Sequence, residues 1–281
     1  MLKIGMCDSP FWAPGTIDAD YEKMASHGFQ CADFGGISNP HGYLYTLDDE
    51  ELKKALLPMK EKAHKAGIYF SQVHGTWPAE DIWRDTDRNL EWMKRCVRAT
   101  DILDDGRNLV VHPMMPYAWD EEKDSAYARS ENKRFFTAIC EYAKDYNVNI
   151  CIENMPTLRH KLARIPAIVD FVKELGYDNF FICLDTGHCQ VTGDDSGEMV
   201  RACGSLLKVL HIHDNCGDHD RHLPPYYGRI SWKNFKQGLA DIAFDGCISC
   251  EASITRAFPE DIRNDLLTCY AKMMRSLDYT V

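Results

Sequence analysis

The segment Phe180–Asp185 reads Phe-Phe-Ile-Cys-Leu-Asp, an unbroken apolar run that ends in a carboxylate. Apolar runs of about four to seven residues are typical of strands that are buried on both faces of a parallel sheet. Similar segments recur along the chain, and we predict a strand at each of them: Lys3–Cys7, Gln30–Phe34, Ile68–His74, Asn108–His112, Asn149–Glu153, Lys208–His213 and Cys247–Glu251. With Phe180–Asp185 they make eight predicted strands.

Longer amphipathic segments alternate with these strands, and each predicts a helix: Asp18–His27, Asp48–Ala66, Arg88–Asp101, Ser130–Asp145, Ile165–Leu175, Gly197–Cys203, Trp232–Ala240 and Pro259–Leu277. Gly28, Gly67 and Gly176 directly follow three of them, as expected of left-handed helix C-caps. Eight strand–helix units without a linker predict an α/β fold, a (β/α)8 TIM barrel, with residues 1–281 as a single domain. A doubly wound sheet would usually carry a Gly-rich turn after its first strand, and residues 6–10 contain no glycine.

The overall composition argues against nucleic acids and membranes as binding partners. The chain has 281 residues with 32 Lys and Arg against 43 Asp and Glu, a net charge of −11. Such an acidic surface repels phosphate backbones and anionic lipids, so we expect no nucleic-acid partner. No run of about 18 apolar residues and no signal-peptide pattern is present, so we expect no membrane partner. Twelve cysteines at scattered spacings predict reduced thiols in a cytoplasmic protein.

Residues that can ligate a metal stand at the ends of most predicted strands: His74, His112, Glu153, Asp185, His211, His213 and Glu251. In a TIM barrel the carboxyl ends of all strands meet at one face, so these side chains should converge. Carboxylates gathered without a partner repel one another, and a divalent cation relieves that repulsion. A set of Glu153, Asp185, His211 and Glu251 is rich in oxygen, which predicts Mn²⁺, with Mg²⁺, Co²⁺ or Zn²⁺ as alternatives.

Aromatic residues follow several predicted strands and could line the barrel mouth: Trp12, Trp77, Tyr117, Trp119, Tyr226 and Tyr227. Aromatic faces stack on the C–H faces of sugars, so this pattern favours a sugar or glycoside as the small-molecule substrate. Ordinary loop packing is the alternative explanation.

Four segments together resemble one known family. They are Ile152-Glu153-Asn154, Leu184-Asp185-Thr186-Gly187-His188, His211-Ile212-His213-Asp214-Asn215, and Asp220-Arg221-His222 followed by Gly228-Arg229-Ile230-Ser231-Trp232. In this order they resemble the xylose isomerase-like TIM barrel superfamily, which groups sugar and sugar phosphate isomerases and epimerases with endonuclease IV. The resemblance implies that Glu153, Asp185, His211 and Glu251 bind the metal and that His188 contacts the substrate.

The resemblance also implies a reaction, which is removal of a proton next to the carbonyl of a keto sugar through an enediolate. Glu153 and Glu251 would be its acid/base partners, and His112 is a third catalytic candidate. We predict substrate contacts for His74, His188, Trp12, Tyr226 and Arg221. The chain departs from the ketose epimerases at Arg159, where they carry a glutamate, and at Gly217, where they carry an arginine. These departures argue against a free ketohexose as substrate.

Two alternatives remain open on the same fold. The first is a lyase that cleaves 3-keto C-glycosides by β-elimination with a small partner subunit; a homo-oligomer is the other assembly considered. The second is a zinc phosphodiesterase like endonuclease IV, because every position of its three-zinc cluster is filled here: His74, His112, Glu153, Asp185, His188, His211, Asp220, His222 and Glu251.

Overall fold

The computed structural model describes residues 1–77, 85–103, 105–114 and 121–281, without the side chains of residues 121–125. Its eight parallel strands are β1 (Ile4–Cys7), β2 (Cys31–Phe34), β3 (Tyr69–His74), β4 (Asn108–Val111), β5 (Asn149–Glu153), β6 (Phe180–Asp185), β7 (Leu207–His211) and β8 (Ile248–Cys250). From β1 to β7 each strand pairs with the next in the chain, and β8 pairs with β1. Each of the eight predicted strands overlaps one of these.

The sheet closes into a barrel just beyond β7. Ile212 forms a parallel bridge with Cys250. Its backbone N–H donates to the Ser249 carbonyl at 2.9 Å, and its own carbonyl accepts from the Glu251 N–H at 3.0 Å. These contacts join the two edges of the sheet and confirm the predicted (β/α)8 TIM barrel.

The helices of the described residues are α1 (Tyr21–Ser26), α2 (Asp49–Lys65), α3 (Thr86–Leu103), α4 (Glu121–Lys144), α5 (Ile165–Leu175), α6 (Thr186–Thr192), α7 (Ser196–Cys203), α8 (Trp232–Asp241) and α9 (Glu260–Leu277). None of them combines the length and apolar character that crossing a bilayer requires. The sequence analysis missed α6 and started α4 too late. Helix α6 follows β6 without a loop because the Asp185 carboxylate caps it, accepting from the His188 N–H at 2.7 Å.

The barrel interior is apolar below its mouth. Four fully buried side chains on neighbouring strands form a small cluster separate from the main core, namely Val110, Cys151, Cys183 and Val209. Side chains alternate between the two faces of a strand, so the residue two positions further along points to the same interior. Those residues are His112, Glu153, Asp185 and His211. The strands therefore carry a polar upper layer at their carboxyl ends directly above this lower layer.

Candidate active site

The four side chains predicted to bind a metal come together at the barrel mouth. Each of Glu153, Asp185, His211 and Glu251 offers one ligand atom, and these atoms all lie within 4.8 Å of one another. His211 Nδ1 is 2.8 Å from Glu153 Oε1 and 3.4 Å from Glu251 Oε2. Glu153, Asp185 and His211 are buried, whereas the Glu251 side chain is 20% exposed and faces the mouth.

This donor set fits a divalent cation. The Glu251 Oε2 atom is buried and accepts no hydrogen bond from the described residues. Burial raises the pKa of Glu251 to about 8, and the charges of Asp185 and Glu153 add to that rise against the opposing effect of His211. A bound cation would give the Glu251 Oε2 atom a partner and would offset the repulsion among the three carboxylates. Three carboxylates with one imidazole suit Mn²⁺, Mg²⁺ or Co²⁺.

Imidazoles hold the two innermost carboxylates in their charged form. Burial opposes ionisation of Glu153, but His211 and His112 outweigh it and hold its pKa well below the usual value. Burial likewise opposes ionisation of Asp185, but His188 and His213 hold its pKa at about 2. Charged carboxylates are the form in which these side chains ligate cations.

His74 and His112 form one wall of the cluster. His112 Nε2 is 2.9 Å from Glu153 Oε2, and His74 Nε2 is 3.9 Å from the same oxygen. The His74 Nδ1–H donates to the Gly75 carbonyl at 2.9 Å, so the lone pair of a neutral ring lies on Nε2. The ring of His74 also stacks on that of His211 with centroids 5.5 Å apart.

A neighbouring group of His188, His213, Asp220 and His222 also brings its ligand atoms within 4.8 Å of one another. Asp220 Oδ2 lies 3.2 Å from Nε2 of both His188 and His222. His188 Nδ1–H donates to the Asn154 carbonyl at 2.7 Å and is 3.9 Å from Glu153 Oε1. The structure therefore places His188 beside the main cluster.

Two acidic residues at the mouth were missed by the sequence analysis. Asp33 Oδ2 accepts hydrogen bonds from Gln72 Nε2 at 3.0 Å and from His211 Nε2 at 3.1 Å, which turns His211 Nδ1 toward the carboxylates. Asp8 is fully buried just after β1 and accepts from the Gly35 N–H at 3.1 Å. An acidic residue within or directly after an apolar strand was the available signal for both.

The remaining predicted site residues are dispersed. Trp12 lines a cavity that also contains Glu251. The Tyr226 hydroxyl is hydrogen-bonded to Ser276 Oγ at 2.6 Å, and Arg221 forms an exposed ion pair with Asp218, so these contacts give no support to their predicted substrate roles. Of the other aromatic residues, Trp77 and Tyr227 are exposed. The predictions for Tyr117 and Trp119 lie outside the described residues.

Comparisons with known proteins agree with this architecture. The chain is 27% identical over 247 residues to a D-psicose 3-epimerase of Ruminiclostridium cellulolyticum, covering 83% of this chain and 78% of that protein. It is 26% identical over 254 residues to an uncharacterised protein of Methanocaldococcus jannaschii, covering 89% of this chain and 83% of that protein. A solved D-tagatose 3-epimerase-like protein shares the fold with a TM-score of 0.76 at 22% identity, covering 98% of this chain and 99% of that one.

The family model described as xylose isomerase-like TIM barrel matches residues 21–272, which is nearly the whole barrel. The matched region contains all four residues of the main cluster. The chain therefore belongs to the xylose isomerase-like TIM barrel family.

Proposed function

We propose that this protein is a divalent-metal-dependent sugar isomerase or epimerase that removes a proton next to the carbonyl of a keto sugar. The observation that carries the proposal is that two carboxylates lie close to the same imidazole nitrogen. Glu153 Oε1 is 2.8 Å and Glu251 Oε2 is 3.4 Å from His211 Nδ1. Relatives named D-psicose 3-epimerase, at 27% and 29% identity, support the same reaction class.

In this proposal Glu153, Asp185, His211 and Glu251 hold the metal. When bound, a divalent cation polarises the substrate carbonyl and stabilises negative charge that develops on its oxygen. Glu251 is the partly exposed member of the set, so it meets the substrate first and removes the proton. Glu153, on the inner wall, takes a proton from His112 Nε2 at 2.9 Å and passes it to the carbon, which inverts that carbon if the proton arrives on the opposite face.

Two histidines, His112 and His188, border Glu153. His112 Nε2 lies 2.9 Å from Glu153 Oε2 and can exchange a proton with it. His188 is fixed by its hydrogen bond to the Asn154 carbonyl, which leaves Nε2 toward Asp220. Substrate contacts of His74, His188 and Trp12 remain part of the proposal. Because Glu153, Asp185 and His211 are buried, water is kept from the inner side of the site.

Deuterium exchange tests this proposal. Keto sugars incubated with Mn²⁺-loaded protein in deuterated water should gain deuterium at the carbon beside the carbonyl, and EDTA should stop the exchange. Glu153→Gln and Glu251→Gln should each abolish it, whereas Glu61→Gln on the exposed face of α2 should exchange like wild type. Exchange within about tenfold of wild type in both site variants would contradict acid/base roles that are worth about 10²–10⁴ in rate.

A second candidate function is zinc-dependent phosphodiester cleavage. The observation that favours it is that the described residues hold three groups of possible ligands: the main cluster, one group of His74, Glu153 and His211, and one around Asp220. The net charge of −11 argues against a polyanionic substrate. Metal analysis separates the two, since one Mn²⁺ per chain supports the isomerase and three Zn²⁺ support the phosphodiesterase.

The lyase, the small partner subunit and the homo-oligomer stay predictions. Product analysis of the same incubation with a 3-keto C-glycoside decides the first, because β-elimination releases the aglycone whereas isomerisation leaves the mass of the substrate unchanged. Sedimentation of the purified protein decides the assembly.

A further inference from the structure

A cavity of about 330 Å³ adjoins the main cluster on the side of β1 and β8. Its walls come from the segment after β1, the segment after β8, and α1 and α9, and Glu251 forms part of them. Ligand pockets commonly enclose about 300–1,000 Å³, so a small molecule held at Glu251 has room to extend into this space.

The charged residues of this cavity are mainly basic. Lys23, Arg256 and Arg263 line it, and Glu251 is the one carboxylate among its described lining residues. Lys23 Nζ forms an ion pair with Glu260 Oε1 at 2.8 Å. The Glu260 side chain is 69% exposed, so its carboxylate faces solvent. The cavity therefore presents positive charge next to the acidic cluster, in a chain whose net charge is −11.

Two residues of α9 that line this cavity, Arg263 and Asn264, each have one polar atom without a partner in the described part of the chain. Arg263 Nε and Asn264 Oδ1 are buried, and neither forms a hydrogen bond with the described residues. Arg256 bridges the two segments, since its guanidinium donates to the Ser9 carbonyl at 3.3 Å. A buried guanidinium N–H without an acceptor is costly, and an anionic oxygen would satisfy it.

We propose that this basic cavity binds an anionic group at the far end of the substrate, either a phosphate monoester or a terminal carboxylate. The inference rests on the proposed function, because it assumes that the carbonyl end of the substrate lies at Glu251. Arg263 and Arg256 supply planar, charged donors that match such oxygens, and Asn264 Oδ1 accepts from a sugar hydroxyl. The substrate class is thus a keto sugar that carries a negative charge.

Substrate discrimination tests this proposal. A keto sugar, its terminal phosphate ester and the corresponding keto-sugar acid are compared by kcat/KM on Mn²⁺-loaded protein. One of the two anionic substrates should exceed the neutral sugar at least tenfold, and which one does so identifies the group. Equal values for all three, or a preference for the neutral sugar, would overturn the anionic cavity and leave the isomerase proposal standing.

The variant Arg263→Gln sharpens this test. It should lower the ratio of anionic to neutral kcat/KM by about tenfold to a hundredfold, the effect of one charge-assisted hydrogen bond. Lys272→Gln, an exposed charge removed from the same helix, should leave the ratio unchanged. A fall of both substrates alike in Arg263→Gln would mean a structural role and contradict the proposal. If Arg263→Gln does not fold, Arg256→Gln replaces it with the same expected fall.

Direct binding of inorganic phosphate separates the two proposals. Calorimetry on Mn²⁺-loaded protein should show phosphate binding that weakens at least tenfold in Arg263→Gln and is unchanged in Lys272→Gln. Unchanged binding in Arg263→Gln would place the phosphate at the metal and overturn the cavity proposal. If no keto sugar exchanges deuterium with the wild type, the isomerase proposal fails while phosphate binding still decides the cavity.

Discussion

The lower and upper layers inside the barrel differ by only two residues along the same strands. Cys151, Cys183 and Val209 are buried apolar or thiol side chains that fill the interior. Two positions later stand Glu153, Asp185 and His211, equally buried but ionisable. Burial is the same in both layers, so burial alone does not explain why only the upper layer carries ionisable side chains.

What differs is the partners available to a charge. In the upper layer Glu153 has His211 at 2.8 Å and His112 at 2.9 Å, and Asp185 receives N–H groups from His188 and His213 at 2.7 and 2.9 Å. The lower layer consists of side chains that offer a carboxylate no comparable donor. One barrel interior thus supports stability in its lower layer and chemistry in its upper layer.

The largest effect is expected from placing a charge in the lower layer. Val209→Asp buries a carboxylate without a partner and should destabilise the fold by more than about 4 kcal/mol. Val209→Ala, which only removes volume, should cost about 2 kcal/mol. Chemical denaturation measures both. If Val209→Asp is as stable as Val209→Ala, the distinction between the layers is wrong.

On β5, a change in the upper layer should affect turnover and a change in the lower layer should affect stability. Glu153→Gln should reduce turnover by about 10²–10⁴ with the fold intact, because it removes an acid/base group and a metal ligand. Cys151→Ala, two residues earlier, should keep turnover within about twofold and cost about 1–2 kcal/mol of unfolding free energy. Steady-state rates and denaturation on both variants check this pair. A loss of turnover in Cys151→Ala that matches Glu153→Gln would contradict the separation of roles.

Only part of the fold and of the site could be predicted from the sequence. The strands and the four-residue cluster followed from apolar runs that end in ionisable residues. The orientation of Tyr226 did not, because its backbone has a φ of 74° and its N–H donates to Asp214 Oδ2 at 3.0 Å, a contact between residues twelve positions apart. Helix α6 was missed because its start depends on one cap by Asp185. Asp33 was missed because its partner His211 lies on a distant strand.

Asp8 is a fully buried carboxylate directly after β1, and it should make stability depend on pH. Burial raises its pKa from 3.8 to about 7, against the opposing effect of the hydrogen bond that the Gly35 N–H donates. The folded state therefore holds the proton more tightly, so the free energy of unfolding should fall as pH rises from about 4 to about 7. Asp8→Asn should remove up to about 4 kcal/mol of that fall.

Denaturation of EDTA-treated protein across this pH range measures the effect. Asp145→Asn, which changes an exposed carboxylate at the surface, is the matched control and should keep the wild-type pH dependence. An identical pH dependence in Asp8→Asn and wild type would show that Asp8 is ionised in the folded state without cost.

The smallest effect is expected at Asp33, which supports the upper layer from β2. Asp33→Asn weakens the hydrogen bond that orients His211 and should lower metal affinity about tenfold. Competition with a chelator measures the affinity, and the thermal midpoint of the EDTA-treated variant shows whether the fold has changed. Wild-type affinity in Asp33→Asn would mean that His211 is oriented by its other contacts alone.

Anomalous diffraction from crystals soaked in Mn²⁺ shows where the metal ion binds. The expected result is one strong peak within coordination distance of Glu153, Asp185, His211 and Glu251, about 2.0–2.4 Å from their oxygen and nitrogen atoms. A peak elsewhere, or no peak among these four side chains, would contradict the metal centre and the reaction proposed for it.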